Sequence, residues 1–111
     1  MKRKYRITRA ADFKRVRQSG KLYAHSLVSV IVAPGESEAT RFGIIVGKAV
    51  GNAVVRNQVK RRIRAITDQY IQQINQKVDI LLIAKSSASK AGFQELFQAI
   101  SYGLDNAKLL D

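Results

Sequence analysis

Between Asn52 and Lys77 the residues Val55, Val59, Ile63, Ile66, Tyr70 and Ile74 recur at steps of four and three. Only a helix returns such positions to one face. The spacing predicts a long amphipathic helix over 52–75, entered from the turn Gly51-Asn52 with Asn52 as N-cap. On a helical wheel the side opposite the apolar stripe gathers Arg56, Asn57, Lys60, Arg61 and Arg64. Cations at i, i+4 and i+8 with no acid among them repel one another until an anion arrives. Solvated helix faces usually mix signs, so this one reads as a binding face. Arginine can hold two phosphate oxygens in its planar fork, and lysine adds a mobile point charge. Asn57 offers an amide that both donates and accepts, which a purely electrostatic patch does not need. Arg62 falls at the edge of the apolar stripe and reads as a side chain snorkelling over the core.

The remaining elements follow from shorter patterns. Thr8 as N-cap, Phe13 and Val16 on one face and a stop at Gly20 predict a helix over 9–19. The β-branched run 27–33 ends at Pro34-Gly35 and predicts a strand and a turn, with a loop over 35–40. A second strand is predicted over 41–48, where Gly43 and Gly47 suggest a bulge or a close backbone approach. The nearly continuous apolar run 78–84 predicts a central strand covered on both faces. After a small-residue loop over 86–91, Phe93, Leu96, Phe97, Ile100 and Leu104 trace a last amphipathic helix. The order is α-β-β-α-β-α. We read 1–111 as one α+β domain, an α/β sandwich with a mixed, mostly antiparallel sheet.

Charge narrows the partners. The chain has 20 Lys+Arg, 8 Asp+Glu and a formal net charge of +12, an excess most readily explained by a polyanion. Residues 1–25 carry nine cations and one acid, and 41–64 carry seven cations and no acid. No run approaches the ~20 apolar residues of a membrane span, and no apolar stretch follows the basic N-terminus as it would in a signal peptide. A cytoplasmic protein is expected. Cysteine is absent, which removes thiolate nucleophiles and cysteine metal clusters. A single His25 and scattered carboxylates offer no acid-base pair or metal cluster for an autonomous nuclease, and His25 reads as a surface or strand-end residue.

The stretch Arg41-Phe42-Gly43-Ile44-Ile45-Val46-Gly47-Lys48-Ala49-Val50-Gly51-Asn52-Ala53-Val54-Val55-Arg56-Asn57-Gln58-Val59-Lys60-Arg61-Arg62-Ile63-Arg64 resembles the signature of the protein subunit of bacterial ribonuclease P. The glycine-rich strand, the Gly-Asn-Ala-Val turn and the Arg-Asn-x-x-Lys-Arg-x-x-Arg helix match in order and spacing. Asp12-Phe13-x-x-Val16 before Gly20, and the Asp79-led strand with its following helix, extend the likeness over nearly the whole chain. The resemblance implies a fold similar to the second domain of a small-subunit ribosomal protein. It also implies a left-handed β-α-β crossover, against the generic right-handed rule.

The resemblance further implies a protein that binds the catalytic RNA of ribonuclease P and the 5′ leader of precursor tRNA. In such an enzyme the RNA performs magnesium-dependent hydrolysis and the protein is an accessory subunit. No cofactor bound by the protein, no membrane and no obligate protein partner are expected. Carried over, Lys48, Arg56, Asn57, Lys60, Arg61 and Arg64 would face the catalytic RNA. Phe13, Val16 and Arg17 would line a leader cleft, with Val28 and Val30 as candidate floor residues, while Phe13 is equally readable as core. Gly47, Ala49 and Gln58 depart from a common serine, basic residue and arginine, and Arg17 stands where many members have a second aromatic. A ribosomal RNA-binding protein is the main alternative. A helix-turn-helix DNA reader is disfavoured because the basic helix lies between strands.

Overall fold

The computed structural model describes residues 2–110. Helix α1 spans Ala10–Ser19, α2 Ala53–Tyr70 and α3 Phe93–Asn106; strand β1 spans Lys21–Tyr23, β2 Val28–Pro34, β3 Arg41–Ile45 and β4 Val78–Ala84. The sheet order is β1-β2-β4-β3. β1 with β2 and β2 with β4 are antiparallel, and β3 with β4 is parallel. β4 lies between β2 and β3, as its nearly continuous apolar run requires. The neighbouring parallel pair β3 and β4, joined through α2, is the expected β-α-β unit. Short 3-10 turns at Arg3–Tyr5, Lys48–Val50 and Ser86–Lys90 connect the elements.

Strand alternation divides the core between the two faces. α2 and α3 cover one face, where Val28, Val30, Phe42, Ile80 and Leu82 meet Val59, Ile63, Ile66, Leu96, Ile100 and Leu104. α1 covers part of the other, where Val16 packs on Ile31, Ala33 and Leu81 together with Ile7. Val59, Ile63 and Ile66 are wholly buried, each worth roughly 1.5–3 kcal/mol by removal from water. That burial anchors α2 against the repulsion among its outward cations. The Tyr70 hydroxyl meets Ser101 Oγ, which in turn donates to the Phe97 carbonyl at 2.7 Å and ties α2 to α3.

Several boundaries differ from the sequence reading. Asn52 is the N-cap of α2, its Oδ1 accepting from the Val55 N–H at 3.0 Å. The helix stops at Tyr70 rather than near 75: the Gln73 N–H turns back to the Tyr70 carbonyl at 2.9 Å. Ile74 still reaches the core from that turn. α1 begins after Arg9, not Thr8, and no side chain caps it. β3 ends at Ile45, and β1 was not anticipated because three residues with one neighbour strand leave no periodicity to read. Gly51, at φ 156°, occupies backbone space that only glycine enters freely. Gly43 is required by a side chain rather than a backbone: a Cβ there would lie 2.7 Å from Phe13 Cε1 and 2.8 Å from Leu81 Cδ2. Gly47 has open space around it.

Candidate nucleic-acid interface

The basic face of α2 is present as the periodicity requires. Asn57, Arg61 and Arg64 are exposed, and Arg56 and Lys60 are half-buried. Among the described residues, Arg56, Lys60, Arg61 and Arg64 make no ion pair. Arg56 Nε is buried without a hydrogen-bond partner among the described residues. Lys48 is exposed on the 3-10 turn ahead of the helix. Arg62 points elsewhere: its Nη1 donates to the Ala91 carbonyl at 3.3 Å, as a snorkelling residue would.

The five residues named for a leader cleft are not all brought together. An open cavity of about 370 Å³ lies beside α1, lined by Arg17, Leu22, Ser29, Ile31, Ile83 and Lys85 among others. Arg17 is thus one wall of this cavity. Val28 and Val30 are not floor residues: both are wholly buried on the α3 side of the sheet. A one-residue step along β2 exchanges faces, so Ser29 and Ile31 form the floor instead. Ser29, the one polar residue inside an apolar run, was the available signal. Val16 is also fully buried and serves to hold α1 on Ile31 and Leu81. Phe13 is half-buried against Gly43, and its outer side lines a smaller cavity of about 210 Å³ with Arg6 and Arg64.

Sequence reasoning missed an ionic cluster beneath α1. The wholly buried Asp79 carboxylate accepts from Arg41 Nε at 3.0 Å and Nη2 at 2.8 Å, and from Arg15 Nη2. Asp12 sits 3.6 Å from Arg41 Nη1 and 3.5 Å from Arg15 Nη2. Burial pushes the Asp79 carboxyl up, but the hydrogen bonds from Arg41 and Arg15 outweigh it and hold the group below the usual carboxylate range. Arg15 and Arg41 are raised: desolvation opposes this at Arg15, and the hydrogen bond to Asp79 leads at Arg41. The arrangement fastens α1 to the ends of β3 and β4. Within it, both Asp12 and Asp79 are held by the two guanidinium groups. His25 is also occupied structurally, its Nδ1 accepting from the Leu27 N–H at 3.0 Å.

An α+β sandwich with one helix face of cations that make no ion pair among the described residues, and an open groove beside another helix, defines a basic polyanion-binding protein. The ribonuclease P family model matches residues 1–108. The ribonuclease P protein component of Herpetosiphon aurantiacus is 36% identical over 98% of this chain and 89% of its own length. That of Lactiplantibacillus plantarum is 36% identical over 100% and 98%. The solved Staphylococcus aureus RNase P protein superposes with a TM-score of 0.88 at 32% identity, covering 96% of this chain and 98% of that one. A second structure of the S. aureus protein is of a mutant with defective mRNA degradation activity. The chain belongs to the ribonuclease P protein family, the protein component of the ribonucleoprotein that processes tRNA 5′ ends. Among its described residues, no helix is long and apolar enough to cross a membrane.

Proposed function

We propose that α2 docks this protein on the catalytic RNA of ribonuclease P through Arg56, Asn57, Lys60, Arg61 and Arg64, with Lys48 extending the surface. The groove beside α1 then receives the 5′ leader of precursor tRNA, Arg17 and Lys85 meeting its phosphates over the apolar floor of Ile31 and Ile83. The observation that carries this reading is the row of α2 cations without an ion pair among the described residues, anchored by a buried stripe on its other side. Catalysis belongs to the RNA and its magnesium. The protein neutralises phosphates, which lowers repulsion between ribozyme and substrate and reduces the magnesium needed.

Reconstitution with precursors of graded leader length tests the scheme. Stimulation by the protein should grow over the first several leader nucleotides, within the ~4–16 that single-strand grooves cover. An Arg17→Ala/Lys85→Ala variant should lose that growth while still binding the RNA subunit. Leader-independent stimulation would refute the groove. Precursor cleavage by purified protein proven free of the RNA would refute the auxiliary role.

A further inference from the structure

Nine cations precede residue 26, and the α2 face uses none of them. A basic N-terminal arm could simply be solvated, but this one is docked. The Ile7 N–H donates to the Phe42 carbonyl at 2.9 Å, Arg6 forms a parallel bridge with Phe42, and Ile7 is buried with Val16 and Ile31. Upstream, the turn over Arg3–Tyr5 is closed by Tyr5 N–H to the Lys2 carbonyl and Arg6 N–H to the Arg3 carbonyl, both at 3.0 Å. Lys4 lies over the Tyr5 ring, 4.9 Å from its centroid.

The docked arm borders a cavity of about 450 Å³ lined by Arg3, Lys4, Arg6 and Arg9 and also by Asp12, Glu36 and Arg41, a size within the usual range of ligand pockets. The two carboxylates do not neutralise the four arm cations, because Asp12 and Glu36 are already engaged by Arg15 and Arg41. Among the described residues, Arg3, Lys4, Arg6 and Arg9 make no ion pair. Arg6 and Thr8 also line the neighbouring cavity, which ends at Arg64 of α2. Positive charge therefore continues from α2, across Arg6, into the N-terminal cavity.

We propose that this cavity is a second phosphate-binding site, one that takes phosphodiester groups of an RNA strand and lengthens the α2 surface into a continuous track. It rests on the reading that α2 grips RNA. Uncompensated cations on a fixed backbone hold phosphates without the ordering cost a mobile tail would carry. The phosphates come from the ribonuclease P RNA or from the precursor leader.

The test measures the salt dependence of binding for an Arg6→Gln/Arg9→Gln variant, first with ribonuclease P RNA and then, in the reconstituted particle, with precursors that have or lack a leader. Both side chains are exposed, and thermal unfolding checks that the variant is folded. The slope of log K against log salt should flatten by about 1.4–1.8 for two lost contacts, with a roughly tenfold or greater loss near 0.1 M salt. The charge-keeping Arg6→Lys/Arg9→Lys variant should keep the wild-type slope. Loss with the ribonuclease P RNA assigns the phosphates to it, and loss confined to leader-bearing precursor assigns them to the leader. An unchanged slope with every RNA overturns the site. So does an equal loss in a matched Lys90→Gln/Lys108→Gln control, which removes the same charge elsewhere. A Lys60→Ala/Arg61→Ala variant separates the two readings: if it loses RNA binding and the arm variant does not, the cavity alone fails. If only the arm variant loses binding, the cavity stands and the role of α2 falls.

Discussion

Replacing Asp79 by alanine should be the most damaging single change on the α1 side of the sheet. Its side chain is 0% exposed and takes two hydrogen bonds from Arg41 and one from Arg15, whose own side chains are 16% and 25% exposed. Removing one partner of a buried pair costs ~3–5 kcal/mol, because the remaining charge stays uncompensated. Asp12 remains within reach of both guanidinium groups, and each has some access to water, so the cost should fall at the low end, about 3 kcal/mol. At roughly 4 °C per kcal/mol for a domain near this size, the melting temperature should drop by about 12 °C. The pH dependence identifies the charge as the cause. A carboxylate whose folded pKa lies below the unfolded value of about 3.9 contributes its full stability above that value and loses it as pH falls through the folded one. The gap between wild type and Asp79→Ala should therefore be constant from pH 7 to pH 5 and narrow only below about pH 4. Urea denaturation across that range measures it. A variant within ~0.5 kcal/mol of wild type at pH 7, the ordinary effect of a surface substitution, would refute the reasoning, as would a gap already closing between pH 7 and pH 5.

Asn57→Lys adds a charge to the α2 face, yet it should weaken binding to the ribonuclease P RNA by about 0.5–1.5 kcal/mol if the amide makes a specific hydrogen bond; equal or tighter binding in a titration would reduce the face to an electrostatic patch. Gly103→Ala should destabilise the free protein even though alanine is the better helix former by about 1 kcal/mol. The new Cβ would lie 2.4 Å from Val30 Cγ2 and 2.9 Å from Val30 Cβ, and overpacking of this kind costs ~1–3 kcal/mol. A raised melting temperature would show that β2 and α3 can separate without loss.

How far the site could be read from the chain depended on the range of the interactions involved. The basic face of α2 was legible because a helix carries its own geometry: Val59 and Ile63 inside dictate Arg61 and Arg64 outside, with Asn52 marking the start. Arg62 was legible for the same reason. The groove beside α1 was not, since the faces of β2 are settled by register and by which helix covers which side. Val28 and Val30 were assigned to the groove and lie under α3, while Ser29 and Ile31 face it. Phe13 needed the contact with Gly43 before its place at the core's edge could be stated.

The sequence by itself determined the helical stripe, the uncompensated charge opposite it, the central apolar strand and, through the ordered motif, the family. Each depends on neighbours within a turn or two, or on a pattern of residues in fixed order. Only the tertiary structure decided that Arg15 and Arg41, 26 positions apart and 64 and 38 positions from their shared partner, meet on Asp79. It also decided that a basic N-terminal arm is pinned to β3 by Ile7, so that its cations line a cavity instead of trailing in solvent. Such contacts close long loops, and whether they form depends on packing summed over the whole sheet, which no local stretch of residues encodes.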